Sequence, residues 1–190
     1  MALITESQLR GFSSSKTTFS ANEGLKGYRG ESKILKTRVF LSHKHDELLN
    51  LENAISFLMK EGVNVYIDWL DEVMPKSTSG ITANRIKSKI KESEKFIFLA
   101  SEAAINSKWC NWELGFGDAH KYINNIALLP IQKDYSSFSG AEYLQIYPYI
   151  VYENGKSKYS DGDYIQAGYY VLYPSKNGEE TIISLREWLK

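Results

Sequence analysis

The chain has 190 residues, and its 23 lysines and arginines balance its 23 aspartates and glutamates, so the formal net charge at pH 7 is zero. A hydrophobic fraction of 43% with a charged fraction of 24% is typical of a globular protein and excludes a disordered or fibrous one. The length fits one domain, or one domain with an extension. The balanced charge argues against a DNA-binding protein, which usually needs a basic face.

Further features of the sequence narrow the class of protein. The single cysteine, Cys110, excludes an internal disulfide framework and a cysteine-only zinc site. No apolar run approaches the ~20 residues that span a bilayer, and the first residues lack the basic start and apolar stretch of a secretory signal. We therefore expect a cytoplasmic protein with no DNA and no membrane among its partners.

The first 35 residues are predicted to form an N-terminal arm or linker. Residues 11–33 are rich in Ser, Gly, Lys and Thr and show no sustained apolar period. Only residues 6–10 have the character of a short helix. The ordered core is therefore expected to begin at residue 36.

Residues 36–133 are predicted to form an α/β core in which strands and helices alternate. The apolar runs predict strands over 38–41, 63–67, 95–100 and 126–131. The helices are predicted over 48–59 with a stop at Gly62, over 83–90 after a long loop at 68–81, and after the N-cap Ser107. This alternation specifies a parallel sheet with helices on both faces, for which a flavodoxin-like strand order is expected.

Residues 134–190 are predicted to form a C-terminal β-rich extension that ends in a helix over 182–189. Nine of the 13 tyrosines lie between Tyr143 and Tyr173, in segments with high β propensity. A tyrosine-rich tract can form a stacking platform for nucleic-acid bases. Because basic residues are not interleaved with these tyrosines, we favour a half-buried edge hairpin.

Ligands of an open α/β sheet bind beyond the carboxyl ends of its strands. Three predicted strand ends carry many carboxylates and aromatic rings, in the segments 42–46, 68–72 and 101–113. A nucleophile triad of Ser42, His43 and Asp46 is disfavoured, because no Gly-x-Ser-x-Gly turn is present and adjacent strand residues point to opposite faces. We expect no metal site, since His43 and His45 have no obvious third ligand at a helical spacing.

The most informative segment of the chain is SKWCNWELG at 107–115. Trp109 and Glu113 are four residues apart, so the ring and the carboxyl lie side by side on a helix. Trp112 and Phe116 turn toward the same sector, which sets the acid next to an apolar wall. An isolated W-x-x-x-E is more often a solvated glutamate beside core tryptophans, so its meaning depends on the surrounding motifs.

Three motifs precede this segment: VFLSH at 39–43, VYIDW at 65–69 and FIFLAS at 96–101. Each is weak alone, but the four in register strongly resemble the TIR (Toll/interleukin-1 receptor) domains of bacteria. The resemblance covers about residues 36 to 131, in the order and spacing of the family. The N-terminal arm and the tyrosine-rich tail look like the additions found on small antiviral TIR proteins, including those of Thoeris defence systems.

The resemblance implies a five-stranded parallel sheet and an enzyme that cleaves NAD at the nicotinamide–ribose bond. The catalytic glutamate of such enzymes lies on the helix after the third strand, which is the position of Glu113. The residues implied to bind the substrate are Ser42, His43, Asp68, Trp69 and Trp109. NAD is then a substrate, and no cofactor is expected. TIR adaptors that only bind other TIR domains generally lack this acid, so Glu113 favours an enzyme.

Because the chain carries no effector module of its own, we expect an ADP-ribose-derived product, cyclic or conjugated, that signals to a separately encoded effector. Self-association through TIR–TIR contacts is also implied by the family. One alternative is a non-catalytic scaffold that assembles through the so-called BB loop (72–81) and Lys87, Lys89 and Lys91. A second is a nucleoside deoxyribosyltransferase, which shares the layout and a catalytic glutamate.

Overall fold

The computed structural model describes residues 1–13, 37–68, 79–134, 142–176 and 179–190. These residues form one sheet of eight strands. In chain order the strands are β1 (Ala2–Thr5), β2 (Arg38–Ser42), β3 (Asn64–Tyr66), β4 (Lys95–Ala100), β5 (Ile126–Gln132), β6 (Tyr149–Glu153), β7 (Gly168–Lys176) and β8 (Glu179–Ser184).

Helices connect and flank these strands. They are α1 (Glu6–Ser13), α2 (Leu48–Lys60), α3 (Gly80–Glu92), α4 (Glu102–Ile105), α5 (Lys108–His120) and α6 (Leu185–Trp188), with 3-10 turns at Ile123–Asn125 and Glu142–Ile146. The longest have 13 residues. Within the described ranges, none of the helices has both the length and the apolar character that crossing a bilayer demands.

The strand order is β3-β2-β4-β5-β1-β6-β7-β8. Strands β3, β2, β4 and β5 are parallel neighbours, and β6 is parallel to β5 where Leu128 faces Tyr149. These five strands match the predicted parallel sheet with a flavodoxin-like order. Strands β7 and β8 extend the sheet by antiparallel pairing. The predicted α/β fold with a C-terminal β extension is therefore confirmed.

Both faces of the central strands are buried, so their sequences read as continuous apolar runs. Along β2, Val39 and Leu41 belong to one core cluster, while Phe40 belongs to the other. The first cluster lies under α1, α2 and α6, and the second lies under α3, α4 and α5. Alternation of side chains between the two faces of a strand thus builds a core on each side of the sheet.

Local signals set the ends of the main helices. The Ser107 hydroxyl accepts a hydrogen bond from the backbone N–H of Cys110 and caps α5, as the sequence predicts. Gly62 follows α2 with a φ of +93°, a left-handed conformation that favours glycine at a helix end. Ser79 caps α3 in the same way, through the N–H of Thr82.

The sequence predictions for the two ends of the chain need correction. Residues 1–35 were expected to be an arm, but β1 belongs to the sheet, with Ile4 and Thr5 paired to β5 and Ala2 and Leu3 paired to β6. A strand of four residues is too short to show a period. The helix predicted over 182–189 begins too early: residues 182–184 belong to β8, and α6 begins only after the N-cap Ser184.

Replacement of Ile4 by alanine tests whether β1 is part of the core. Ile4 has no exposed surface, so Ile4→Ala should lower the free energy of unfolding by about 2–5 kcal/mol. Chemical denaturation followed by tryptophan fluorescence measures this change. Ile81→Ala is the matched control, because Ile81 is 73% exposed, and its effect should stay within about 0.5 kcal/mol. Equal effects of the two substitutions would contradict the placement of β1.

Candidate active site

Two neighbouring parallel strands bring the polar residues of the site together. Phe40 of β2 is in register with Tyr66 of β3, so the segments that follow these strands emerge side by side. Ser42 is the last residue of β2, and Asp68 lies two residues beyond the end of β3. Helix α5 contacts β2 at this edge and contributes Glu113. The site therefore lies at the carboxyl ends of parallel strands, where α/β sheets bind their ligands.

Glu113 is the buried acid at the centre of the site. It is only 3% exposed, and the Ser42 hydroxyl donates a hydrogen bond of 2.6 Å to its Oε2. The side chain of Trp109, one turn earlier on α5, provides a second hydrogen bond. Neither partner carries a positive charge, so the carboxyl is oriented without being neutralised.

The surroundings of Glu113 raise its pKa from the ordinary 4.5 to about 8. Burial is the largest cause, because it removes water from the charged form, and the negative charge of Asp68 adds to it. The hydrogen bonds from Ser42 and Trp109 lower the pKa, because they stabilise the carboxylate. The charge of the ionised Glu113 is therefore poorly compensated in the free protein. A positive charge bound beside it would stabilise the carboxylate.

Asp68 connects the two histidines of the site. His45 Nε2 lies 3.0 Å from Oδ2 of Asp68, within hydrogen-bond distance, and His43 Nε2 lies 3.9 Å from Oδ1. Burial lowers the pKa of His43. The hydrogen bond with Asp68 raises the pKa of His45, whose side chain is 53% exposed. The two pKa values therefore shift in opposite directions, because burial favours the neutral form of His43 and the hydrogen bond with Asp68 favours the charged form of His45.

Cys110 is a residue of the site that the sequence analysis does not assign. Its Sγ donates a hydrogen bond of 3.2 Å to the carbonyl oxygen of His43. Burial raises the pKa of this thiol to about 11, so it stays protonated and is a poor nucleophile. Its position three residues before Glu113, on the same helix face, is the signal that could have identified it.

The aromatic wall predicted beside Glu113 runs along the helix. The Trp109 ring lies 4.8 Å from Trp112 between centroids, and Trp112 lies 6.1 Å from Phe116. The ammonium group of Lys87 on α3 lies 5.7 Å from the centroid of Trp112. The rings of Trp112 and Phe116 therefore pack against α3. Trp109 is the ring of this series that contacts Glu113.

The structure brings together five of the six residues that the resemblance places in the site, while Trp69 lies outside the described residues. The disfavoured nucleophile triad is not formed, because the Ser42 hydroxyl bonds Glu113 and the Asp46 side chain is 72% exposed. A third group that could bind a metal lies beside His43 and His45, because Asp68 reaches them from the segment after the neighbouring strand and not from a helical spacing.

The arrangement can stabilise a positive charge that develops on a bound molecule. Glu113 supplies a carboxyl fixed by hydrogen bonds, and Asp68 adds a negative charge nearby. Such preorganised groups act more strongly in a buried site than in water. A reaction that develops positive charge on the bound molecule fits this set of residues.

Two comparisons with known proteins found similarities. The family model for the TIR domain matches residues 39–162. The chain is also similar to the probable 3′ cyclic ADP-D-ribose synthase ThsB′ of Bacillus cereus (strain MSX-D12), with 32% identity over 170 residues. That similarity covers 79% of this chain and 83% of the relative.

The raised pKa of Glu113 predicts a specific pH dependence of stability. The folded protein keeps a proton on Glu113 up to about pH 8, whereas the unfolded chain releases it near pH 4.5. The stability contribution of this group is therefore present at low pH and is lost as the pH rises to about 8.

Glu113→Gln removes this titration and keeps an acceptor for Ser42. Between pH 5 and pH 8 the stability of the wild type should fall by about 3 kcal/mol more than that of the variant. Urea unfolding of both proteins at several pH values measures the difference, since all other titrating groups are shared. Parallel pH profiles would show that the acid is not perturbed.

Proposed function

We propose that this chain, which belongs to the TIR domain family, cleaves NAD at the nicotinamide–ribose bond and makes a cyclic ADP-ribose signal in antiviral defence. Family membership follows from the TIR match over residues 39–162 and from the similar Bacillus cereus protein. The observation that carries the proposal is the buried Glu113 carboxyl, held by Ser42 at the ligand-binding edge of the sheet.

The charge balance of the reaction suits a single acid. NAD carries its nicotinamide as a positively charged pyridinium ring. When the bond from ribose C1′ to the ring nitrogen breaks, the electron pair stays on nicotinamide, which leaves as a neutral base. Positive charge then spreads over the ribose, as in glycoside hydrolysis. No general acid is needed for departure, so one carboxylate beside the ribose is sufficient.

The surroundings of Glu113 favour binding of a cation. Burial and the charge of Asp68 make the ionised Glu113 unfavourable in the free protein. A cationic ribosyl group beside these two acids would compensate their charge, and it would favour the carboxylate form. This stabilisation grows as charge moves from the ring onto the ribose, so it acts on the transition state.

The product depends on which nucleophile reaches C1′. Water gives linear ADP-ribose and a proton, whereas a hydroxyl of the same molecule closes a ring and also releases a proton. The relative's name specifies a 3′ cyclic ADP-D-ribose synthase, and we propose the same product class here. Shielding of the ribosyl cation from water is the physical requirement for ring closure.

Signalling also requires partners. We propose that the product acts on a separately encoded effector, that the protein works in the cytoplasm, and that copies of the chain self-associate through TIR–TIR contacts. The lysines of α3 give a purely scaffolding role little support, because Lys87 and Lys91 lie over the Phe116 ring and Lys89 pairs with Glu92 within the same chain. They are thus occupied by internal contacts.

Glu113→Gln tests the catalytic assignment directly. We expect the rate of nicotinamide release from NAD to fall by about 10²–10³-fold, because a preorganised electrostatic partner is lost. Glu187→Gln is the matched control, since Glu187 has an exposed side chain on α6, and it should keep the wild-type rate. Circular dichroism confirms that both variants fold. Unchanged turnover in Glu113→Gln would refute the assignment.

Chromatography and mass spectrometry of the products test the signalling proposal. A cyclic product is lighter than linear ADP-ribose by one water, and we expect it to be the main product from NAD, with or without lysate from phage-infected cells. Linear ADP-ribose alone would contradict the cyclisation. Transfer between a deoxynucleoside and a free base, with no reaction of NAD, would instead identify a deoxyribosyltransferase.

A further inference from the structure

Three side chains beside Glu113 have the chemistry of a transition-metal site. His43, His45 and Asp68 each offer one ligand atom, and these atoms all lie within 4.8 Å of one another. The two histidines follow β2 at alternate positions with ring centroids 5.3 Å apart, and Asp68 arrives from the end of β3. We propose that these three residues bind one Zn²⁺ ion.

His43 already has the orientation of a metal ligand. Its Nδ1 donates a hydrogen bond of 3.1 Å to the carbonyl oxygen of Leu41, so the lone pair of the neutral ring lies on Nε2. Nε2 is buried and has no hydrogen-bond partner among the described residues. Metal-binding histidines usually donate their second ring N–H to a carbonyl or carboxylate in this way. The buried nitrogen, directed toward Asp68, is the independent sign of a missing ligand.

The three ligand atoms, which all lie within 4.8 Å of one another, would have to move closer together to bind one ion. Zinc bonds to nitrogen and oxygen are about 2.0–2.2 Å long, so tetrahedral ligand atoms lie roughly 3.3 Å apart. His45 Nε2 and Asp68 Oδ2 are 3.0 Å apart, and His43 Nε2 is 3.9 Å from Oδ1. The proton between His45 and Asp68 would be released, and the ion would take its place.

The ligand types select the metal. Two imidazoles and one carboxylate suit zinc, whereas Mg²⁺ and Ca²⁺ prefer sets of oxygen ligands. Three protein ligands leave one position open for water or for an oxygen of a bound molecule. The hydrogen bond from Cys110 to the His43 carbonyl holds the main chain of this ligand in place.

Metal titration of the full chain, purified without a histidine tag and treated with a chelator, tests the site. Isothermal titration calorimetry with ZnCl₂ should give one ion per chain, and MgCl₂ should give no binding. Replacement by Co²⁺ should produce the visible absorption of a tetrahedral site. His45→Ala should weaken Zn²⁺ binding by more than about tenfold, because loss of even a residue that only hydrogen-bonds a ligand typically costs about 10–100-fold.

His45 is the residue to replace first, because its side chain is half exposed and the variant is expected to fold, whereas His43 is buried. His120→Ala is the matched control, since His120 lies at the far end of α5 in contact with Phe116, and it should bind Zn²⁺ like the wild type. The proposal is overturned if the wild type binds no Zn²⁺, or if His45→Ala binds as tightly as His120→Ala.

Experiments can distinguish a failure of the zinc proposal from a failure of the proposed NAD cleavage, on whose site the zinc proposal borders. Glu113 is not among the three ligands, so Glu113→Gln should lose NAD cleavage and still bind one Zn²⁺ ion per chain. Loss of Zn²⁺ binding in this variant would overturn the ligand assignment. Absence of NAD cleavage in the wild type, with Zn²⁺ binding intact, would contradict only the proposed function.

Discussion

The hydrogen bond between the Ser42 hydroxyl and the Glu113 carboxyl fixes helix α5 to the end of strand β2. A second tie supports it, because the Cys110 thiol bonds the carbonyl of the next residue, His43. Cys110 and Glu113 are three residues apart, so they lie on one face of the helix, and Ser107 sets where that helix begins. A shift of one residue would break both ties at once. The register of α5 on β2 therefore determines the geometry of the site.

This arrangement places an acid where its ionisation is unfavourable. Burial and the charge of Asp68 raise the pKa of Glu113, and its hydrogen bonds offset only part of that effect. Burial of the continuous apolar faces of β2, β4 and β5 stabilises the fold and offsets the cost of the buried acid. Proteins often retain this kind of local conflict where function requires it. A cationic ligand beside Glu113 would relieve this conflict, and it would link the energetics of the fold to the chemistry of the site.

Much of the fold could be predicted because its signals are local. The apolar runs of β4 and β5, the cap at Ser107 and the stop at Gly62 each depend on a few adjacent residues. Strand β1 could not be predicted, because its four residues become a strand only through pairing with β5 and β6. The boundary between β8 and α6 was missed for a similar reason, since Ile182 pairs with Leu172 across the sheet. Long-range pairing overrides local propensity in both places.

The site shows the same division between local and long-range information. The spacing of Trp109 and Glu113 is visible on one helix, but the meeting of Asp68 with His45 depends on the pairing of β2 with β3. Asp68 acts on Glu113 through its charge and contacts His45 directly. A cation held by the histidines and a cationic substrate beside Glu113 would therefore both interact with the charge of Asp68. Their binding cannot be independent, and by thermodynamic linkage each would change the affinity of the other by the same factor.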